Sequence, residues 1–489
     1  MRNFEDLRTD QQSCIDGIYG MDRAYVVMRM GGGKTATALT AALELIADGH
    51  VRKGIVMAPP LVAATVWPRE PAKWSHLSDI KVVALTGSPA QRLKLLETSD
   101  ADVFTVSDGV CRWMADYLLA LPDGDPLLDL FMYDEPKTKE PRGAIGKALM
   151  AVEPRVKVMW LFSGTPRPNG YQDLFVAGHL MATGKWDKDF DLWRRRNFMQ
   201  VDHSGYEWEV HDFRAKQLDE VIKTFMVRAA EPKDARHGTL TSGPDHDIEI
   251  ELPAAALKKY KEMERDLIIE VVRGIDIATA HGQWSPDGSP EAEAREAAII
   301  AALSQAVASS KLAQIAQGFV YETTEDDKIA HRIHDAKVEG LAYALDGIGA
   351  ENSLITYGFR EDVTVIEALL RKQRRSYGIL GQGVSLKQKL IYVDQWNEGK
   401  LDNLILHPAS AGHGIELQFG GRHITHFCPT WSAEQYDQVI KRLDRPGQEL
   451  QVYSRMIIAK GTVDIVKRNR VEFKMGDQEA FKDMLEVLS

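Results

Sequence analysis

Residues 24–49 read AYVVMRMGGGKTATALTAALELIADG, and this stretch decides the fold. Its first five residues, 24–28, are an apolar run of the kind found in buried strands, and a run of glycines follows shortly after. Apolar residues then recur at helical spacing up to Ile46, and Asp48-Gly49 predicts the end of the helix. The stretch therefore predicts a strand, a glycine loop and a helix, which is a typical unit of an α/β sheet.

The glycine loop has the composition of a phosphate-binding P-loop. Consecutive glycines, Gly31–Gly33, allow main-chain N–H groups to face a triphosphate, and the N-terminus of the next helix adds a favourable dipole. In such a loop Lys34 reaches the β- and γ-phosphates, and the Thr35 hydroxyl binds Mg²⁺. Met28 stands where the pattern has its first glycine. The alternative is a tight turn that needs glycine for its backbone alone.

Composition limits the class of protein. With 489 residues the chain exceeds one hydrophobic core, so we expect two or three domains. It has no apolar run of membrane-spanning length, and residues 1–12 are too polar for a secretory signal, so we expect a cytoplasmic protein with no membrane partner. The cysteines, Cys14, Cys111 and Cys428, are far apart, which favours reduced thiols over disulfides or a structural zinc site.

The net charge of −11 excludes a generally basic surface, so any nucleic-acid contact must come from local patches. Each candidate cluster is either a solvated face or a phosphate contact. The candidates are Arg194–Arg196, Arg371-Lys372 with Arg374-Arg375, and Lys467-Arg468 with Arg470.

A second pair of candidate residues ends a later strand. The apolar run from Leu130 leads to Asp134 and Glu135, and the carboxyl ends of strands are where open α/β sheets bind ligands. Asp134 would hold Mg²⁺ through water, and Glu135 would orient and deprotonate the attacking water. The alternative is an acidic turn without a ligand. Near the N-terminus, Gln11 could pair with adenine, or the segment could be a surface helix start with Thr9 or Asp10 as N-cap.

The order of several motifs resembles that of superfamily-two (DEAD/DEAH-box-related) helicases and, within them, the compact Swi/Snf-type DNA translocases of phages and prophages. QVIKRLDRPGQ at 438–448 matches the motif VI pattern Q-x-x-x-R-x-x-R-x-G-Q position by position. Arg29, Pro136 and Lys137 differ from the family pattern. The other segments that carry the resemblance are LRTDQ at 7–11, MGGGKT at 30–35, APP at 58–60, DEPK at 134–137, SGTPRPN at 163–169 and PASAGHGIEL at 408–417.

The resemblance implies an α/β fold of two RecA-like lobes with helical insertions between them. The implied domains are an N-terminal ATP-binding lobe at 1–183, a helical insertion and connector at 184–336, and a C-terminal lobe at 337–489. The described motifs then imply catalytic roles for Lys34, Asp134, Glu135, Gln438, Arg442 and Arg445. Nucleotide contacts are implied for Gln11, Met30, Gly31, Gly32, Gly33, Lys34, Thr35, Ala36 and Gly414, Mg²⁺ contacts for Thr35 and Asp134, and nucleic-acid contacts for Pro59, Thr165, Asn169, Gly412 and Trp431.

The function implied is an ATP-dependent translocase that hydrolyses Mg·ATP and moves along duplex DNA. Two alternatives stay open: a helicase that separates DNA or RNA strands, and a slow ATP-dependent switch in a larger DNA-processing complex. The cofactors implied are ATP and Mg²⁺, and the partner is DNA, with duplex favoured. Protein partners in replication, recombination or defence fit the resemblance as well, and a monomer suffices for a two-lobe motor.

Overall fold

The computed structural model describes residues 1–28, 31–136, 142–164, 171–182, 184, 186, 187, 189–200, 208–229, 240, 241, 246–265, 308–323, 328–411, 415–445 and 447–473. By their internal contacts, the described residues within Met1–Met199 and Glu209–Ala235 form one compact unit. Those within Arg236–Gly412 and Glu416–Ser489 belong to a second. Each unit is built on its own parallel sheet.

The first unit contains a sheet of seven strands. They are β1 (Arg23–Val27), β2 (Gly54–Ala58), β3 (Val82–Leu85), β4 (Val103–Ser107), β5 (Leu130–Asp134), β6 (Val158–Ser163) and β9 (Met226–Arg228), with β7 (Phe198–Gln200) and β8 (Trp208–Val210) in a separate ribbon. The order across the sheet is β3-β4-β2-β5-β6-β1-β9, and every neighbouring pair is parallel. Because β1 and β5 flank β6, the glycine loop and the acids after β5 meet at one edge of the sheet.

Helices cover this sheet because its central strands are apolar on both faces. The helix after the glycine loop places Leu39 and four alanines in the core, together with Val26, Met132 and Trp160 of the strands. The alanines are Ala36, Ala38, Ala41 and Ala42. The helices are α1 (Thr9–Tyr19), α2 (Lys34–Ala47), α3 (Trp67–Arg69), α4 (Pro89–Thr98), α5 (Cys111–Ala120), α6 (Ala144–Val152), α7 (Phe175–Met181), α8 (Phe190–Asn197) and α9 (Asp212–Lys223). A π-helical turn at Val62–Val66 precedes α3.

The second unit repeats this architecture. Its strands are β10 (Leu240–Thr241), β11 (Ile248–Ile250), β14 (Ser353–Thr356), β15 (Tyr377–Leu380), β16 (Asn403–Leu406), β17 (His423–His426) and β18 (Val452–Ala459), and β12 (Phe319–Thr323) with β13 (Lys328–Arg332) forms an antiparallel hairpin. The sheet runs β10-β18-β17-β14-β16-β15, and β11 also pairs with β18. All of these pairs within the sheet are parallel.

The helices of the second unit pack on this sheet and on a smaller apolar cluster beside it. That cluster joins Tyr260 and Leu312 to Val463, so described parts of the segment between the predicted lobes pack on the second unit. Residues 254–265 are helical. The other helices are α10 (Ala308–Gln317), α11 (Ala336–Ile348), α12 (Arg360–Lys372), α13 (Leu386–Asn397), α14 (Pro408–Ala411), α15 (Ala433–Leu443) and α16 (Val463–Phe473).

The predicted fold class is confirmed: the chain has two parallel α/β units. The glycine-loop strand and its helix lie within one residue of the predicted bounds. The segment implied to be a helical insertion also contains strands, among them β12, which begins at Phe319. The sequence indicated no strand at β15. The exact division at 183 and 336 stays a prediction.

Two further expectations concern the cysteines and membrane-spanning helices. All three cysteines are buried free thiols. Among the described residues, we find no helix with the length and apolar character that crossing a membrane requires.

Candidate active site

The glycine loop connects β1 directly to α2. Gly31 and Gly33 have φ angles of 70° and 77°, a region that glycine enters without steric cost. Gly33 is the N-cap of α2, and it has no side chain with which to cap the helix. The amides of the first turn, which begins at Lys34, are therefore left for an anion, as the helix dipole favours.

Two side chains from the start of α1 brace this loop. The buried Gln11 accepts a hydrogen bond from the Arg8 N–H at 3.1 Å and donates from Nε2 to the Gly33 carbonyl at 3.4 Å. Arg8 donates to the Gly32 carbonyl at 2.5 Å and pairs with Asp10 at 2.9 Å. The sequence indicated Gln11 as an adenine contact but did not indicate Arg8. The adenine contact stays a prediction, while the observed role of Gln11 is to hold the loop.

Met28 occupies the position of the missing first glycine without entering the loop. Its side chain is buried in the core of the first unit, and its N–H donates to the Ser163 carbonyl at 3.0 Å. Methionine is tolerated at this position because its side chain packs in the apolar core of the first unit and not in the glycine loop.

Lys34 and Glu135, two of the predicted catalytic residues, lie in direct contact. The Lys34 ammonium is 2.7 Å from Oε1 of Glu135 and 3.5 Å from the Met28 carbonyl. The other carboxylate oxygen, Oε2, accepts hydrogen bonds from the Ser163 hydroxyl at 3.2 Å and the Gly164 N–H at 3.5 Å. Glu135 itself has a φ of 54°, an unusual conformation for a residue with a side chain. The carboxylate is thus held from both sides at the mouth of the loop.

The electrostatics of this pair favour the ionised carboxylate. Burial raises the pKa of Glu135, but the Lys34 ammonium, the Gly164 N–H and the Ser163 hydroxyl outweigh burial and leave this pKa below its usual range. Glu135 is therefore a carboxylate at neutral pH, able to accept a proton once Lys34 moves to another anion.

Asp134 and Thr35 supply oxygen atoms at the same edge. Asp134 is buried at the end of β5, where its Oδ2 accepts a hydrogen bond from Trp67 Nε1 at 3.1 Å. Thr35 lies in the first turn of α2. A carboxylate and a hydroxyl are the hard oxygen ligands that Mg²⁺ prefers, with phosphate and water as its remaining ligands. These residues therefore fit the predicted metal.

The predicted residues of the second unit lie on and after α15. Arg442 is buried on that helix, and Arg445 follows its end and is half-buried. Gln438 donates from Nε2 to Glu434 at 3.2 Å. The last residue of the motif, Gln448, donates to the Gln418 and Gly421 carbonyls at 2.9 and 3.1 Å, so it holds the loop after the helix in place.

Few of the predicted nucleic-acid contacts fall in the part of the chain that the structure describes. Pro59 is buried directly after β2, and Trp431 is half-buried, with the Lys467 ammonium 5.6 Å from its ring centre. Met30, Thr165, Asn169, Gly412 and Gly414 lie outside the described residues.

The basic clusters meet partners within the chain. Arg196 pairs with Asp187 at 2.7 Å and Arg371 with Glu367 at 3.0 Å, while Lys467 is buried rather than solvated. Phosphate contacts by the remaining members of these clusters stay predictions.

Comparison with known proteins supplies the family. Residues 28–285 match the model of the SNF2-related domain. Protein p41 of Acyrthosiphon pisum secondary endosymbiont phage 1 is 30% identical over 490 residues, which cover 96% of this chain and 97% of that protein. A DNA repair and recombination protein RAD54-like of Drosophila erecta is 19% identical over 92% of this chain, which spans 59% of that protein's length.

A solved structure is also similar. The Sulfolobus solfataricus SWI2/SNF2 ATPase core in complex with dsDNA has a TM-score of 0.40 at 18% sequence identity, over 98% of this chain and 92% of that chain. The resemblance inferred from the motifs is confirmed by the family match and by the phage relative. With residues 28–285 of 489 matched and the p41 alignment running nearly end to end, this chain belongs to the SNF2-related domain family.

Proposed function

We propose that the protein is a DNA-stimulated ATPase that moves along duplex DNA without separating its strands. The observation that carries the ATPase part is the Lys34–Glu135 pair at the mouth of the glycine loop, with Nζ and Oε1 2.7 Å apart. A cation for the phosphates and a carboxylate base are the two groups that hydrolysis of a phosphoanhydride needs in one place. The family membership supports the same reading.

In this proposal, the phosphates of ATP replace the Glu135 carboxylate as the partner of the Lys34 ammonium. The β- and γ-phosphates bind the amides of the α2 N-terminus and the Lys34 ammonium, which releases Glu135 from its ion pair. Glu135, still held at Oε2 by Ser163 and Gly164, then uses Oε1 to orient the attacking water and accept its proton. Nucleotide binding itself would thus convert a neutralised carboxylate into a base.

Mg²⁺ would be held by Thr35 and, through water, by Asp134. When bound, the ion neutralises charge on the phosphate oxygens. The Trp67 hydrogen bond at 3.1 Å holds one oxygen of the Asp134 carboxylate, which supports the position of this side chain at the site.

Arginines complete the proposed chemistry. Arg442 and Arg445 would stabilise the charge that develops on the γ-phosphate as the bond to the leaving group breaks. Gln438, on the same helix as Arg442, would contact the attacking water or the phosphate. These roles rest on the motif VI pattern and on the placement of the three residues on and just after α15.

DNA as the activator is proposed from the family and from the relatives. The Drosophila erecta relative is named a DNA repair and recombination protein, and it aligns over 92% of this chain. Because the net charge is −11, contacts would be local and mainly to phosphates, so binding should weaken steeply with salt. Pro59, Thr165, Asn169, Gly412 and Trp431 are the proposed contacts.

Movement along duplex DNA is tested by triplex displacement. A short third strand is bound to a long duplex, and its release is followed with ATP in the wild-type protein and in Glu135→Gln. We expect ATP-dependent release by the wild type alone, with a forked duplex left closed. Opening of the fork without displacement of the third strand would refute translocation on duplex DNA and favour a strand-separating helicase.

A further inference from the structure

One short helical segment, residues 60–69, joins a proposed DNA contact to the proposed metal site. Pro59 directly precedes the segment, and Pro60, its first residue, is exposed to solvent. Near the other end of the segment Trp67 is fully buried, and its Nε1–H donates to Oδ2 of the buried Asp134 at 3.1 Å. The two proposed sites are therefore connected through a single element of secondary structure.

The segment is helical throughout, but its middle is the π turn Val62–Val66. Pro68 accounts for this turn, because a proline inside an α-helix cannot donate a hydrogen bond and clashes with the carbonyl four residues before it. A π turn adds one residue to the helix, and each residue rotates the following side chains by about 100°. The turn thus sets which side chain of the segment meets Asp134, and that side chain is Trp67.

Hydrogen bonds tie the π turn to the start of the segment and to the sheet. The Ala63 N–H donates to the Pro59 carbonyl at 2.9 Å, and the Trp67 N–H donates to the Val62 carbonyl. In an α-helix the Trp67 N–H would instead meet the Ala63 carbonyl. Here the Ala63 carbonyl accepts from the buried hydroxyl of Thr105, on β4. The segment is therefore restrained from Pro59 to Trp67.

We propose that this segment carries the effect of duplex DNA to the metal site. DNA bound at Pro59 restrains the start of the segment, the braced π turn passes this restraint to Trp67, and the indole N–H then restricts the Asp134 carboxylate. Because DNA has already ordered the carboxylate, Mg²⁺ binds there at a lower cost. Trp67 is thus a positioning residue that acts through Asp134. The inference rests on the proposed function, since it explains how DNA would stimulate ATP hydrolysis.

The test is the Mg²⁺ dependence of the binding of a fluorescent, non-hydrolysable ATP analogue, with and without saturating duplex DNA. In the wild type we expect DNA to lower the half-saturating Mg²⁺ concentration about five- to tenfold, the usual value of one hydrogen bond. Trp67→Phe keeps an aromatic ring in the core but has no N–H to donate. In this variant DNA should change the half-saturating Mg²⁺ concentration less than about twofold, because the connection to Asp134 is broken.

The matched control is Trp74→Phe. Trp74 is buried in the same core, and its Nε1–H donates to the buried Glu70 carboxylate at 2.9 Å. The control therefore removes an equivalent indole–carboxylate hydrogen bond, and it should lower the melting temperature as Trp67→Phe does. The effect of DNA on the Mg²⁺ requirement should stay at the wild-type value.

A second variant, Thr105→Val, tests the π turn and leaves Trp67 in place. It removes the hydroxyl that holds the Ala63 carbonyl while it keeps the shape of the side chain. We expect the effect of DNA to fall below about threefold. This variant decides the question if Trp67→Phe does not fold.

The outcomes separate the inference from the proposed function. A full effect of DNA in folded Trp67→Phe or Thr105→Val, or an equal loss in Trp74→Phe, would overturn the inference. A wild type whose hydrolysis is stimulated by duplex DNA, but whose Mg²⁺ requirement is the same with and without DNA, would also overturn it and leave the proposed function standing. A wild type without DNA-stimulated hydrolysis would instead remove the proposed function, and the inference with it.

Discussion

Replacement of Glu135 by glutamine should strengthen ATP binding while it abolishes hydrolysis. The Glu135 carboxylate forms an ion pair with the Lys34 ammonium, so ATP must compete with Glu135 for this cation. Glutamine keeps the size of the side chain, and its one carbonyl oxygen can still accept from Ser163 and Gly164, but it removes the charge. Lys34 is then free for phosphate, and the repulsion between Glu135 and the phosphates disappears as well.

The expected gain follows from the geometry of the pair. At 2.7 Å and an effective dielectric constant of about 20, two unit charges attract by about 6 kcal/mol. Hydration of the separated groups reduces the net value of a charge-assisted hydrogen bond to about 1.5–3 kcal/mol. Since 1.4 kcal/mol is tenfold in affinity, Glu135→Gln should bind ATP about ten- to one-hundredfold more tightly. Hydrolysis should fall by at least about one-hundredfold, because the amide cannot accept the proton.

The assay is calorimetric titration of each protein with a non-hydrolysable ATP analogue and Mg²⁺, without nucleic acid. Glu153→Gln is the control, because Glu153 forms a pair of similar burial with Arg23, at 3.0 Å, whose charges do not face the loop. It should leave the affinity unchanged. Equal or weaker binding by a folded Glu135→Gln protein would refute the competition between Glu135 and phosphate.

Three further predictions concern stability. Gly33→Ala and Gly49→Ala should each lower the free energy of unfolding by about 1 kcal/mol in thermal melts, since both φ angles are positive. Only Gly33→Ala should also weaken ATP binding, because its Cβ would lie 2.5 Å from the Gln11 side chain that holds the loop. Lys337→Met should lower the free energy of unfolding in urea by about 3–5 kcal/mol, because the Lys337 ammonium is the closest cation to the buried Asp464 carboxylate, at 2.6 Å. Adding Asp464→Leu to this variant should recover most of the loss. Burial lowers the pKa of His426 to about 3 from 6.5, so the unfolded state takes up the proton first as the pH falls. Relative to His426→Gln, the wild type should lose about 2 kcal/mol between pH 7.5 and pH 5, as followed by urea midpoints, and a constant difference would contradict this.

The sequence was sufficient for the elements whose signal is local. The run before the glycines, the helix to Ala47 and the strand ending at Asp134 are set by apolar patterning and by glycine, and all three lie close to their predicted bounds. The rule that carboxyl ends of parallel strands share an edge also predicted that Glu135 and the glycine loop would lie together. Their direct contact through Lys34 agrees with that expectation.

What could not be predicted depends on strand register and on packing. Strand β15 is only four residues long and half-buried in alternation, so it carries a weak pattern. Arg8 reaches Gly32 across 24 residues of sequence, and Ser163 meets Glu135 only because β5 and β6 are neighbours in a given register. Lys467, expected within an exposed basic cluster, is buried, because charge composition does not reveal which face of a helix meets the core.

The measurement that tests the central claim most directly is steady-state ATP hydrolysis under four conditions. These are no nucleic acid, duplex DNA, single-stranded DNA and duplex RNA, each at low and moderate salt, with Glu135→Gln as the blank. We predict strong stimulation of the wild type by duplex DNA, which falls as salt rises, and no activity above background in Glu135→Gln. Equal and low rates under all four conditions would contradict a DNA-stimulated ATPase.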